Sequence, residues 1–90
     1  SAMQEDHVSM GWSAARKLRQ SIINTQRIAA IELLTAARAL DMRSPLQPGP
    51  VTKAVRDRLR VTVAGPGPDR YLSPELEAAV VFVQQGGVLN

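Results

Sequence analysis

A chain of 90 residues forms at most one domain, and its small size leaves it with only a marginal hydrophobic core of its own. The chain has no cysteine, which excludes a disulfide framework and a thiolate metal site and fits a cytoplasmic protein. We expect no transmembrane helix, because no run of about 18 apolar residues is present, and the net charge of +3 comes mostly from arginine.

The chain opens on a polar motif, Gln4–Met10, with the sequence QEDHVSM. Asp6 suits the N-cap of a following helix, and acidic residues near a helix start are favoured by the helix dipole. A carboxylate exposed there could also handle a proton or bind a cationic substrate, which is the functional interpretation of Glu5. His7 has no second ligand at helical spacing, so it does not predict a metal site.

The first predicted element is one long helix over about residues 7–42, a stretch without proline whose single glycine is Gly11. Such a helix is roughly 54 Å long at 1.5 Å per residue. A compact domain of this size has a radius of gyration of about 12 Å and is therefore roughly 30 Å across. The helix is longer than the globule that the chain could build alone, so we expect it to be part of a larger helical bundle.

The two halves of this helix differ in character. The first half has an ordinary amphipathic pattern, with 3-4-3 spacing of Ala15, Leu18, Ile22 and Thr25. The second half is apolar at every position from 28 to 40 except Glu32, Thr35 and Arg38. A helix that is apolar on nearly all sides is buried on nearly all sides. We therefore predict that the chain self-associates through the long helix.

A proline-rich segment and a short second helix follow. All six prolines lie between residues 45 and 74, which predicts loops there. The second helix is predicted over about 51–60, with Val51, Ala54, Val55 and Leu59 on one face. Arg56, Arg58 and Arg60 alternate and so do not share a helix face; we interpret them as solvated rather than as a nucleic-acid interface. Residues 61–63 are predicted as either strand or extended linker.

The third helix is predicted over about 74–85. Ser73 suits its N-cap, Pro74 suits its first position, and the glycines at 86 and 87 suit its end. Its apolar face consists of Leu76, Ala79, Val80 and Val83. The fold class is therefore all-α, with one long helix and two short ones that cover one side of the long helix and leave the other for a partner.

Three stretches, in this order and spacing, resemble the C-terminal portion of histidine ammonia-lyases, within the aromatic amino acid lyase family. They are Gln4–Met10, Ala30–Leu34 (AIELL), and Asp69–Tyr71 followed by Pro74–Ala79. The resemblance covers the chain from Gln4 to about residue 86. It implies that residues 4–90 are a C-terminal helical segment of such an enzyme, and we attribute residues 1–3 to a remnant of cloning.

The resemblance also implies an activity and an assembly. The family forms homotetrameric bundles of long helices, and its histidine-specific members convert L-histidine to urocanate and ammonia. Their electrophile, 4-methylideneimidazol-5-one, forms from an internal Ala-Ser-Gly, which this chain lacks. We therefore expect the cofactor to form in an upstream segment and the 90-residue chain to be inactive alone, with no cofactor or metal ligands and no nucleic-acid or membrane partner.

The resemblance implies functional roles for only a few individual residues. Glu5 matches the glutamate of the family's QED motif and is the candidate catalytic and substrate-binding residue, while Gln4 is a candidate for positioning substrate. The family often has asparagine where Met3 stands, and Asp6 and His7 are interpreted as structural. A glutamate directly after Gln4 favours histidine over phenylalanine or tyrosine as substrate. A phenylalanine or tyrosine ammonia-lyase and a free-standing helical oligomerisation module are the alternatives.

Overall fold

The computed structural model describes residues 2–65, 67, 70 and 72–89, with side chains from Met10 onward. Three helices make up the ordered elements of this part of the chain: α1 (Ala2–Met42), α2 (Pro50–Arg60) and α3 (Ser73–Gln84). The described residues contain no strand. The all-α prediction of one long and two short helices is thus confirmed.

Helix α1 is longer than predicted at its N-terminal end. It begins at Ala2 rather than near residue 7, so the prediction of Asp6 as N-cap is wrong, and Asp6 lies inside the helix. The residues before Asp6 include alanine, methionine, glutamine and glutamate, which are good helix formers, so nothing in them stops the helix. The C-terminal end at Met42 is as predicted, and the turn after it includes a bond from the N–H of Leu46 to the carbonyl of Arg43 (3.0 Å).

Helix α2 begins at Pro50, where a missing N–H costs nothing. Residues 61–63 continue from it as a turn: the N–H of Thr62 and the N–H of Val63 both donate to the carbonyl of Leu59 (3.1 and 3.0 Å). Both predicted alternatives for this segment, a strand and an extended linker, are therefore wrong. The turn directs Val63 into the core, where it is almost completely buried.

Helix α3 begins one residue before its predicted start. Ser73 is its first residue rather than its cap, the N-cap is Leu72, and no side chain caps it. Its end is as predicted: Gly86 has a φ of 75°, and the N–H of Gly87 donates to the carbonyl of Phe82 (2.9 Å). This is the Schellman arrangement, which requires a left-handed residue and therefore favours glycine.

The core lies where α2 and α3 meet the second half of α1, and it has two clusters. In the first, Ala30 packs with Ala79 and Val80. In the second, Ala37 packs with Leu59 and Val63. The buried alanines Ala30 and Ala79 permit close approach of α3 to α1. Complete burial of Leu59 contributes about 2 kcal/mol through removal of apolar area from water.

The first half of α1 extends beyond this core. Every residue from Met10 to Ile22 is exposed, and the molecule measures 68 × 29 × 18 Å. Further along α1, Ile28 and Ile31 remain more than half exposed. The short helices therefore cover one side of α1, as predicted. No helix in the described part of the chain is long and apolar enough to cross a membrane.

Candidate functional site

The predicted catalytic motif lies at the free end of α1. The backbone of residues 4–7 belongs to the first turns of the helix. The side chains of Gln4, Glu5, Asp6 and His7 lie outside the described part of the structure. The assignment of Glu5 as a catalytic and substrate-binding residue, and of Gln4 as a substrate-binding residue, therefore stays a prediction.

A cluster of charged side chains joins the opposite end of α1 to α2. The carboxylate of Asp41 accepts hydrogen bonds from Nε and Nη2 of Arg60 at 3.0 and 2.6 Å, and Nη1 of Arg56 lies 3.8 Å from it. The side chains of Asp41, Arg60 and Arg56 are 22, 20 and 13% exposed. The interpretation of Arg56 and Arg60 as a solvated face is therefore wrong, because Asp41 holds them against α1.

Two arginines also fix the loop that leads to α3. Arg60 donates through Nη1 to the carbonyls of Val63 and Ala64 at 3.3 and 3.1 Å. Arg70 donates through Nε to Glu75 at 2.6 Å, and through Nη2 to the carbonyls of Ala64 and Gly65 at 3.3 and 2.9 Å. These charge-assisted hydrogen bonds provide partners for loop carbonyl groups, which have no partner within a helix.

The remaining arginine of α2 contacts the end of α3. Arg58 donates through Nε to the carbonyl of Gly87 at 2.9 Å, beside the negative end of the α3 dipole. The Arg58 side chain is therefore a structural tie between two helices rather than a solvated charge. The pair Lys53 and Asp57, by contrast, lies on the solvated surface, where the hydrogen bond from Lys53 lowers the pKa of Asp57.

The arginine contacts described above surround a groove of about 250 Å³, which lies between α1, the end of α2, the loop and the start of α3. Its lining comprises Ile31, Leu34, Thr35, Arg38, Arg60, Val63, Ala64, Gly65, Arg70, Leu72, Glu75 and Leu76. The sequence analysis missed this groove, because its walls come from distant segments. The one signal of the groove in the sequence was Arg38, a charged residue within the apolar stretch 28–40.

The groove and the predicted catalytic motif are separate sites. Residues 5 and 31 of α1 lie roughly 39 Å apart along the helix axis at 1.5 Å per residue. The groove lining contains guanidinium, carboxylate and aliphatic groups but no histidine. Among the described residues, no group of three histidine, aspartate or glutamate side chains is arranged to hold a metal ion.

Curated relatives of the chain share one description. Histidine ammonia-lyase of Streptomyces avermitilis is 58% identical over 91 residues, which cover 100% of this chain and 18% of the relative. The enzyme of the same name from Streptomyces coelicolor is 56% identical over 96% of the chain and 17% of the relative. That of Symbiobacterium thermophilum is 50% identical, with the same coverage. The chain thus spans less than a fifth of the length of these relatives. No solved structure matches this chain significantly.

The family comparison covers most of the chain. The model of the family described as "Aromatic amino acid lyase" matches residues 1–61, which include all of α1 and α2. This match, together with identities of 50–58% to histidine ammonia-lyases, agrees with the resemblance carried by the Gln4–Met10 motif. The chain belongs to the aromatic amino acid lyase family.

Proposed function

We propose that this chain is the C-terminal part of a histidine ammonia-lyase, and that the whole protein converts L-histidine to urocanate and ammonia. The observation that supports this is the identity of 50–58% between nearly the entire chain and proteins of that name. The chain alone supplies one end of an active site. We expect it to be inactive in isolation.

Two side chains of this segment contribute to the reaction. The carboxylate of Glu5 accepts a hydrogen bond from an imidazole N–H of histidine or assists proton movement at the amine. The amide of Gln4 can donate and accept, which suits it to orienting the same substrate. Because α1 extends away from the core of this chain, its first turns are available to meet other parts of the enzyme.

The cofactor of the family does not fit the residues of this segment. The chain contains no Ala-Ser-Gly from which 4-methylideneimidazol-5-one could form. In the groove on the core, Arg60, Arg70 and Glu75 are already engaged in structural contacts. We therefore assign formation of the cofactor, which supplies the electrophile of the family's reaction, to an upstream segment of the whole protein.

An ultraviolet assay for urocanate tests the proposal. The full-length protein should release urocanate from L-histidine, and the 90-residue chain should not. In the full-length protein, Glu5→Gln should lower kcat by about 10²–10⁴-fold, the range of general acid–base catalysis. Asp6→Asn is the matched control and should retain most of the activity. Turnover of phenylalanine but not histidine would instead assign the protein to another branch of the family.

Self-association through α1 is the second part of the proposal. The exposed apolar side chains on the first half of α1, among them Leu18 and Ile22, support contact with helices of a second copy. We propose a tetramer for the whole enzyme and a cytoplasmic location, the latter in keeping with the absence of cysteine. Sedimentation equilibrium of the isolated chain tests the contact, and a monomer at high concentration would contradict it.

The same exposed face favours the alternative of a free-standing helical oligomerisation module. That alternative predicts association of the 90-residue chain with no lyase activity in the full-length protein. The urocanate assay therefore separates the two functions, whereas the association measurement does not.

A further inference from the structure

One exposed face of α1 has the spacing of a helix-packing seam. Ile28, Ile31, Thr35, Arg38 and Met42 follow one another at intervals of three, four, three and four residues. This is the a/d pattern by which one helix packs along another. We call these five residues the exposed seam. It is roughly 21 Å long, or about four helical turns.

The seam is exposed in this chain although it is mostly apolar. Ile28, Ile31 and Met42 are 57, 51 and 70% exposed. The hydroxyl of Thr35 donates to the carbonyl of Ile31 at 2.8 Å, so this side chain needs no outside partner. The middle of the seam, from Ile31 to Arg38, forms one wall of the groove. The exposed seam and the groove therefore share one wall.

Arg38 gives this surface its chemical character. Arg60 and Arg70 each pair with a carboxylate of the chain, Asp41 and Glu75 respectively. Within the part of the chain that the structure describes, Arg38 makes no ion pair. A helix that covered the seam would remove Arg38 from water, and a buried guanidinium is stable only when it is paired. The occupant must therefore present a carboxylate opposite Arg38.

The shape of the site favours a helix over a small molecule. Its volume of about 250 Å³ lies below the range of about 300–1,000 Å³ usual for ligand pockets. Its length instead matches the groove mode of recognition, in which apolar side chains of an amphipathic helix enter at successive turns. Such a helix would place side chains between the seam and Leu72, which is also about half exposed.

We propose that the exposed seam and its groove receive an amphipathic helix that carries an acidic residue opposite Arg38 and belongs to the rest of the same lyase polypeptide. The inference rests on the proposed function, in which this segment is part of a longer chain. The relatives support that source, because the matched segment occupies only 17–18% of their length. The seam would then fix this segment to the remainder of the enzyme.

Photo-cross-linking in the full-length protein tests the proposal. Thr35 is replaced by benzoylphenylalanine, and Thr52, an exposed residue of α2 outside the groove, is replaced likewise as the control position. We expect the probe at position 35 to join, within one polypeptide, a peptide that lies outside this chain and contains aspartate or glutamate. A cross-link between two polypeptides, or no cross-link above that of the control, would overturn the proposal.

Charge reversal provides the second readout. Arg38→Glu should abolish most of the cross-link from position 35, and reversal of the acidic residue found there should restore it. Arg43→Glu, an exposed arginine outside the groove, should leave the cross-link unchanged. An unchanged cross-link in Arg38→Glu would overturn the ion-pair assignment. Urocanate release is measured on the same samples, so an inactive protein that still cross-links would refute the function but not the docking.

Discussion

Replacement of Asp41 by asparagine tests the ion pairs that join α1 to α2. The Asp41 carboxylate accepts two bonds from Arg60, and Arg56 lies 3.8 Å away. Hydrogen bonds to charged groups contribute about 1.5–3 kcal/mol, and the three side chains are only 13–22% exposed, so screening by solvent is incomplete. We expect Asp41→Asn to lower the free energy of unfolding by about 2 kcal/mol, because Arg60 loses the carboxylate that it binds twice in a partly desolvated site, whereas Arg56 keeps its contact with Asp57 at 3.5 Å.

Circular dichroism of the 90-residue chain during thermal and urea unfolding measures this loss. A destabilisation of this size should lower Tm by about 8–16 °C in a domain of this length. Protein concentration must be held constant, since self-association would shift the apparent stability. Asp57→Asn is the control on the solvated surface; it loses Lys53 at 2.9 Å and Arg56 at 3.5 Å and should lower Tm far less than Asp41→Asn, because solvent screens the exposed Asp57 carboxylate. A loss below about 0.5 kcal/mol in Asp41→Asn, within the range of ordinary surface substitutions, would refute the reasoning.

The remaining predictions concern the core, the helix ends and one titration. Leu59→Ala should lower the free energy of unfolding by about 3 kcal/mol in urea, because it leaves a cavity at a fully buried position. Gly86→Ala should lower the free energy of unfolding by about 1 kcal/mol, since the φ of Gly86 is 75°. Gly11→Ala, inside α1, should raise it by about 0.5–1 kcal/mol. The Tm values of the two variants, measured against that of the unmodified chain, test both predictions. Lys53→Met should raise the pKa of Asp57 towards its ordinary value of 3.8 in a carboxyl NMR titration. Because that pKa is lowered in the folded state, the Asp57 contribution to stability is present above pH 3.8 and is lost as pH falls below it.

Local signals in the sequence were sufficient to locate most helix ends. Pro50 and Pro74 mark helix starts and Gly86 marks a helix end because each constrains the backbone at its own position. The apolar spacing of α3 likewise identified Ala79 and Val80, which the structure buries. The start of α1 was missed for the opposite reason. Residues 2–6 contain no residue that opposes a helix, so the helix continues past Asp6 although aspartate is a favourable N-cap residue.

Contacts between distant segments could not be predicted in the same way. Arg56 and Arg60 looked solvated because alternation along the chain says nothing about Asp41, which precedes them by 15 and 19 residues and approaches them only through the fold. Val63 was missed as a core residue because a turn, rather than a periodic element, directs it inward. The role of Glu5 rests on resemblance alone, since a single carboxylate on a helix has many structural explanations.

The length of α1 also determines how the isolated chain would behave on a gel-filtration column. Its radius of gyration is 18.7 Å, whereas a compact chain of this length would have about 12 Å. By the same scaling, 18.7 Å is the radius of a compact protein of about 280 residues. An elongated monomer also has a larger hydrodynamic radius than a compact one, so it would elute earlier than a globular protein of the same mass. An early elution volume is consequently no sign of assembly for a rod-shaped molecule of this kind, and scattered-light intensity is the appropriate detector.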